Sequence, residues 1–184
     1  IEISNTNLKD INTKYWRQNC AVVMQDGYIF TDSILNNIVL TDENYDKERL
    51  DHSLEIANVY EFTNMLQEKL NTVIGRNRYG LSQGQIQRIL IARAIYKDAP
   101  FVFFDEATSS LDSLNESGIM NNLYSCLNGK TSIIIAHRLS TVKNADQIIV
   151  LSKGKVVETG NHFDLIKNKY FYYNLIKNQL ELDR

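Results

Sequence analysis

A single proline, two cysteines and the absence of any long apolar run restrict this chain of 184 residues before a motif is read. No uncharged apolar stretch approaches the roughly 18 residues of a membrane span, and no charged start leads into a short apolar segment. Any tie to a membrane is therefore expected through a partner or a further segment. Cys20 and Cys126 lie far apart without metal-ligand spacing, so two reduced core thiols are expected, which suits the cytoplasm. Neither charge dominates: 20 Lys and Arg against 22 Asp and Glu give a net −2. The basic residues are interspersed with acids, which excludes nucleic acid as the main partner. No repeat and no low-complexity tract occurs.

What is present is 43% hydrophobic residues, enough for one domain with a real core and an attached smaller subdomain. The apolar run 20–24 ends at Gln25-Asp26-Gly27, which predicts a buried strand and a turn. Over 31–70 the pattern is helical. Leu50, Leu54 and Ala57 recur at i, i+4 and i+7 behind Asp46 and Glu48, which suit a helix start, and Tyr60, Phe62, Met65 and Leu66 predict a second helix. Ser82 and Gln85 have capping-box spacing, and Ile86, Ile89, Leu90 and Ile95 continue one apolar face. Pro100 separates that helix from Phe101-Val102-Phe103-Phe104, whose unbroken apolar character predicts a strand buried on both faces of a parallel sheet. Further strands are predicted at 131–136, 147–151 and 155–158, with helices at 113–127 and 163–180, the last packing through Tyr170, Tyr173, Leu175 and Ile176. The alternation predicts an α/β fold, a parallel sheet core with flanking helices and an inserted helical subdomain. The core is expected from 1–27 and 100–184, and the subdomain from 28–99.

In an open parallel sheet, ligands collect beyond the carboxyl ends of the strands. Asp105 and Glu106 end one predicted strand, His137 the next and Gln25 an earlier one, so four polar side chains are expected along one edge. Ser82 and Gly84 open a helix, where backbone N–H groups and a hydroxyl suit an anion. Each has a plainer meaning when isolated. Two acids at a strand end commonly cap a helix or face solvent, Ser82 caps its own helix, a lone histidine is usually bonded to backbone, and Gln25 is a turn residue. His52 and His162 have no comparable setting and are expected at the surface.

Five short motifs in one order outweigh those meanings. With Gln25, Leu81-Ser82-Gln83-Gly84-Gln85, Asp105-Glu106, Ser110-Leu111-Asp112 and Ala136-His137-Arg138, the chain resembles the nucleotide-binding domain of an ATP-binding cassette (ABC) exporter over nearly its whole length. The resemblance implies ATP and Mg2+ as ligands. It gives the metal to Asp105 and Gln25, the attacking water to Glu106, and a γ-phosphate contact that also positions Glu106 to His137. It also implies that Ser82, Gly84 and Gln85 meet nucleotide held by a second such domain in a head-to-tail dimer, with Asp112 crossing the interface. Transmembrane domains are the other implied partners, which places the domain at the cytoplasmic face of the plasma (inner) membrane. The run from Tyr28 to Ile34, with Asn37-Ile38, resembles the exporter surface that receives them. The wording around the signature and the ending 173–179 resemble bacterial exporters of peptides and bacteriocins that carry a leader peptidase domain.

One element of that family has no match. No Gly-x-x-x-x-Gly-Lys-[Ser/Thr] loop occurs; Gly129-Lys130-Thr131 imitates its end, but Tyr124 stands where the first glycine belongs and a strand pattern follows. In the family that loop lies upstream of Gln25, so a fragment with negligible ATP turnover of its own is expected. Gln83 stands where the family usually has glycine, and Arg76 and Arg78 where exporters commonly carry glutamate and glycine. Two other readings stay open: a truncated or degenerate cassette acting as a non-catalytic dimerisation or regulatory module, and a repair-type ABC ATPase. Against the second, the block between Gln25 and Ser82 is short and lacks sustained heptads.

Overall fold

Several helix starts in this chain are set by side chains that accept from the freed amides of a first turn, as the computed structural model shows for Asn12, Ser33, Asp46, Ser82 and Asn161. It describes residues 1–40, 44–75, 80–108, 113–136 and 138–182. These divide into two compact units, Ile1–Ile135 and Ala136–Arg184.

The first unit opens with an antiparallel pair, β1 (Glu2–Ile3) and β2 (Thr6–Asn7), followed by α1 (Thr13–Gln18). Asn12 Oδ1 caps α1 by accepting from the amides of Lys14 and Tyr15 at 3.0 and 3.1 Å. After β3 (Cys20–Val23) comes the short β4 (Asp32–Ser33), and then three helices: α2 (Ile34–Val39), α3 (Lys47–Ile56) and α4 (Tyr60–Thr63). Ser33 caps α2 and Asp46 caps α3, each accepting from the amide three residues on. Leu50, Leu54 and Ala57 are buried as their spacing predicts, whereas Met65 lies beyond the end of α4 and is 80% exposed. The segment returns through β5 (Val73–Ile74), which pairs antiparallel with β4.

Next comes α5 (Gln83–Lys97), followed by β6 (Phe101–Asp105), α6 (Ser113–Leu127) and β7 (Thr131–Ile135). The single apolar face expected of α5 gives way to burial all round its middle. Gln87 through Ala92 are all buried, because the helix lies between β3 on one side and α2 and α3 on the other. Asp98 ends it in a left-handed conformation, φ 53°.

Strands β3, β6 and β7 form a parallel sheet in that order, with Val23 opposite Phe104 and Asp105 opposite Ile135. One face is core: Ala21, Val23, Val102 and Phe104 are buried on it. The expectation of burial on both faces is not met. Phe101 and Phe103 lie under the Trp16 ring, at centroid distances of 4.9 and 6.5 Å, while Val22 and Ile133 beside Phe103 stay more than half exposed. A continuous apolar run thus reported hydrogen bonding on both edges of a central strand rather than cover on both faces.

The second unit contains α7 (Leu139–Val142), β8 (Ile148–Ser152), β9 (Lys155–Gly160), α8 (His162–Asn168) and α9 (Phe171–Leu182). Strands β8 and β9 form an antiparallel hairpin rather than continuing a parallel sheet. Its two-residue turn places Lys153 and Gly154 at positive φ, 49° and 73°, which matches the twist of a tight hairpin. Ile148, Val150, Leu165, Tyr172 and Ile176 form its core. Tyr170 and Leu175, expected to pack, are exposed. His162 is not a simple surface residue, since its Nδ1 lies 2.8 Å from the Tyr172 hydroxyl.

Candidate functional site

Parallel pairing in register decides the geometry of the site. Because β3 and β6 run the same way and pair from Cys20–Phe101 to Val23–Phe104, Gln25 follows one strand and Asp105 ends the next on the same edge of the sheet. Gln25 is exposed there, and Asp105 and Glu106 are half-buried. Glu106 departs sharply from the strand. It sits at φ 47°, a left-handed conformation that a residue with a Cβ adopts only when its surroundings over-determine it. Its amide donates to the Ile135 carbonyl at 2.9 Å, so the turn leaving β6 is tied to the end of β7. Ala107 and Thr108 just after it are buried.

The signature segment sits at the start of α5. Ser82 Oγ accepts from the Gln85 amide at 3.2 Å, and Gln85 Oε1 accepts from the Ser82 amide at 2.9 Å, a complete capping box. The Gln85 side chain is therefore engaged in closing the helix start, and Ser82 remains exposed with Gly84 half-buried beside it. At the other end, Lys97 Nζ donates to the carbonyls of Cys20 and Arg17, at the amino end of β3. The helix thus runs antiparallel to β3, and its dipole-positive start is the end nearer the sheet's carboxyl edge.

Two buried polar side chains on α5 were not singled out from the sequence. Gln87 is fully buried and reaches from Nε2 toward the Glu106 carbonyl at a long 3.5 Å. Arg88, also buried, forms an ion pair with Glu61 and donates to the Asn58 carbonyl at 3.3 Å, fastening α5 to the end of the α3–α4 turn. The available signal was the pair Gln87-Arg88 interrupting the apolar positions that run from Ile86 to Ile95.

Gly129-Lys130-Thr131 is far from this edge. Thr131 pairs with Phe101 at the start of β6, and Lys130 Nζ is bonded to Asp98 Oδ1 and the Ala99 carbonyl. His137, Asp112, Arg76 and Arg78 lie outside the described residues. Among the described residues no three of His, Cys, Asp and Glu gather into a metal-binding group. A magnesium ion carried mainly by water and phosphate needs only one or two protein oxygens, and Asp105 with the Gln25 amide at one strand edge fits that demand. Both thiols are pushed above the usual cysteine range by burial, so neither is an activated nucleophile.

Residues 1–109 match the family described as ABC transporter. The chain is 46% identical over 164 residues to the Toxin RTX-III translocation ATP-binding protein of Actinobacillus pleuropneumoniae, covering 88% of this chain and 23% of that protein. It is 43% identical over 180 residues to the ATP-dependent lipid A-core flippase of Shewanella frigidimarina, covering 97% of this chain and 30% of the flippase. The fold superposes on a bacterial Atm1-family ABC exporter with ATP bound, with a TM-score of 0.91 and 31% identity over 97% of this chain and 32% of the exporter.

Proposed function

Because the chain belongs to the ABC transporter family, we propose that it is an ATP-binding and ATP-hydrolysing domain that powers export through nucleotide-driven dimerisation. The observation that carries this reading is the Asp105-Glu106 pair at the carboxyl end of the central strand, on the same edge as Gln25 in the turn that follows the neighbouring strand. Glu106 polarises the attacking water, and its backbone amide is tied to the Ile135 carbonyl, which fixes the turn that carries it. Asp105 and Gln25 would hold magnesium, which would supply positive charge to neutralise the phosphates. His137 contacts the γ-phosphate. Ser82, Gly84 and the amides at the start of α5 face the nucleotide of a second domain, while Gln85 shapes that start through the capping box and Asp112 crosses the interface.

The partners in this reading are a second nucleotide-binding domain, head to tail, and transmembrane domains at the cytoplasmic face of the membrane. Residues 28–99 form the helical subdomain between core segments 1–27 and 100–184. The finer reading is export of a peptide or bacteriocin; it is supported by the toxin-translocation names of several relatives, alongside others named for lipid A-core.

The test uses the natural full-length polypeptide containing this chain. Glu106→Gln is expected to keep ATP affinity, accumulate a closed dimer and lower turnover about 10²–10⁴-fold. Unchanged turnover would remove Glu106 from its role.

A further inference from the structure

The loop that follows Gln25 is fastened to α5 at several points, and Arg93 supplies polar ones. Gly27 comes first. A Cβ built on it would stand 2.3 Å from Leu90 Cδ1, so the loop backbone lies directly on the helix. Arg93 then grips what comes after: Nη1 donates to the Tyr28 carbonyl at 2.9 Å, Nε to the Asn37 carbonyl at 2.6 Å and Nη2 to Asn37 Oδ1 at 3.2 Å. Its guanidinium also lies under the Phe30 ring, 5.5 Å from the centroid. These partners are neutral oxygens and a ring face.

Asn37 continues the fastening. It is fully buried, accepts from the Phe30 amide at 2.8 Å, and donates to the carbonyls of Phe30 and Ser33 at 3.0 Å each. On the far side, Thr31 backbone approaches Gly75 so closely that a Cβ there would lie 2.8 Å from Thr31 Cα. The outcome is an exposed aromatic pair on a braced loop. Tyr28 and Phe30 are 70% and 48% exposed and meet edge to face at 5.1 Å.

We propose that Arg93 is a positioning residue that locks the loop following Gln25 to the signature helix, so that the two move as one body. Displacement of either end, Ser82 by nucleotide or Tyr28 and Phe30 by a docked partner, is then delivered to the other. A guanidinium is suited to this task because its planar fork engages several oxygens in fixed directions, which a lysine cannot reproduce. The inference rests on the ATPase reading for what moves the helix, but not for the lock itself.

The experiment is hydrogen exchange on the natural full-length polypeptide, with and without a non-hydrolysable ATP analogue. In the unsubstituted protein, the analogue is expected to change exchange at the first turn of α5 and over 27–33 together. In Arg93→Lys the change at the first turn persists while that over 27–33 shrinks about fivefold or more, the scale of an ordinary coupling between sites. ATP turnover of that variant falls with its KM unaltered. A loop response of undiminished size in Arg93→Lys overturns the lock. A second measurement needs neither nucleotide nor a variant: in native-state exchange of the unsubstituted protein, 27–33 and 83–97 must open in one step with a single denaturant dependence. Separate openings overturn the lock, whereas an absent response to the analogue everywhere strikes only the ATPase reading.

Discussion

Lys130 Nζ lies 2.6 Å from Asp98 Oδ1, at the end of the sheet opposite Glu106. The lysine that imitates a phosphate-loop residue is therefore turned toward the C-terminus of α5. Lys130→Ala is expected to leave ATP affinity of the natural polypeptide unchanged and to lower unfolding stability by about 0.5–1 kcal/mol, since Asp98 is well exposed. Equilibrium titration and denaturant melts read the two effects separately. A large loss of nucleotide affinity would restore Lys130 to the site.

Ser82 has two tasks that one pair of substitutions separates. Ser82→Ala removes the cap and is expected to cost about 1 kcal/mol. Ser82→Asp caps as well as serine but sets a negative charge where the proposed phosphate lies. Stability close to the original with turnover lowered by an order of magnitude is the expected result for the aspartate. Full activity in Ser82→Asp would confine Ser82 to capping.

Gly27→Ala tests the close approach to α5. The new methyl meets Leu90, itself buried, so the side chain cannot swing freely away. A loss of about 1–3 kcal/mol in a denaturant melt is expected, and the pair Gly27→Ala with Leu90→Ala is expected to lose less than the sum of the two.

Alkaline pH should weaken the helical block through Tyr60. Burial first, then the 2.5 Å bond to Asp51 and the charges of Asp51 and Glu55, push its phenol up from 10.0 to about 12. The protonated form is favoured by folding, so its contribution is complete below pH 10 and is lost as pH rises toward 12. Tyr60→Phe should flatten the fall of melting temperature across that window. An identical fall in the variant would assign the alkaline loss elsewhere.

The sequence by itself determined the features whose partners are close along the chain. The capping box of Ser82 and Gln85 closes over a spacing of three, the buried stripe of Leu50, Leu54 and Ala57 follows one helix period, and Asp105-Glu106 end an apolar run that forms the middle strand of the sheet. Even the hairpin of β8 and β9 has a local sign, Lys153-Gly154 between two apolar runs. Only the tertiary structure decided what α5 is. Gln87 meets Glu106 across 19 residues and Arg93 meets Asn37 and Tyr28 across 56 and 65, separations at which residue type carries no information about a partner. A buried polar group must find hydrogen bonds wherever the fold brings them, so such contacts are set by how the chain closes on itself and not by any spacing written along it.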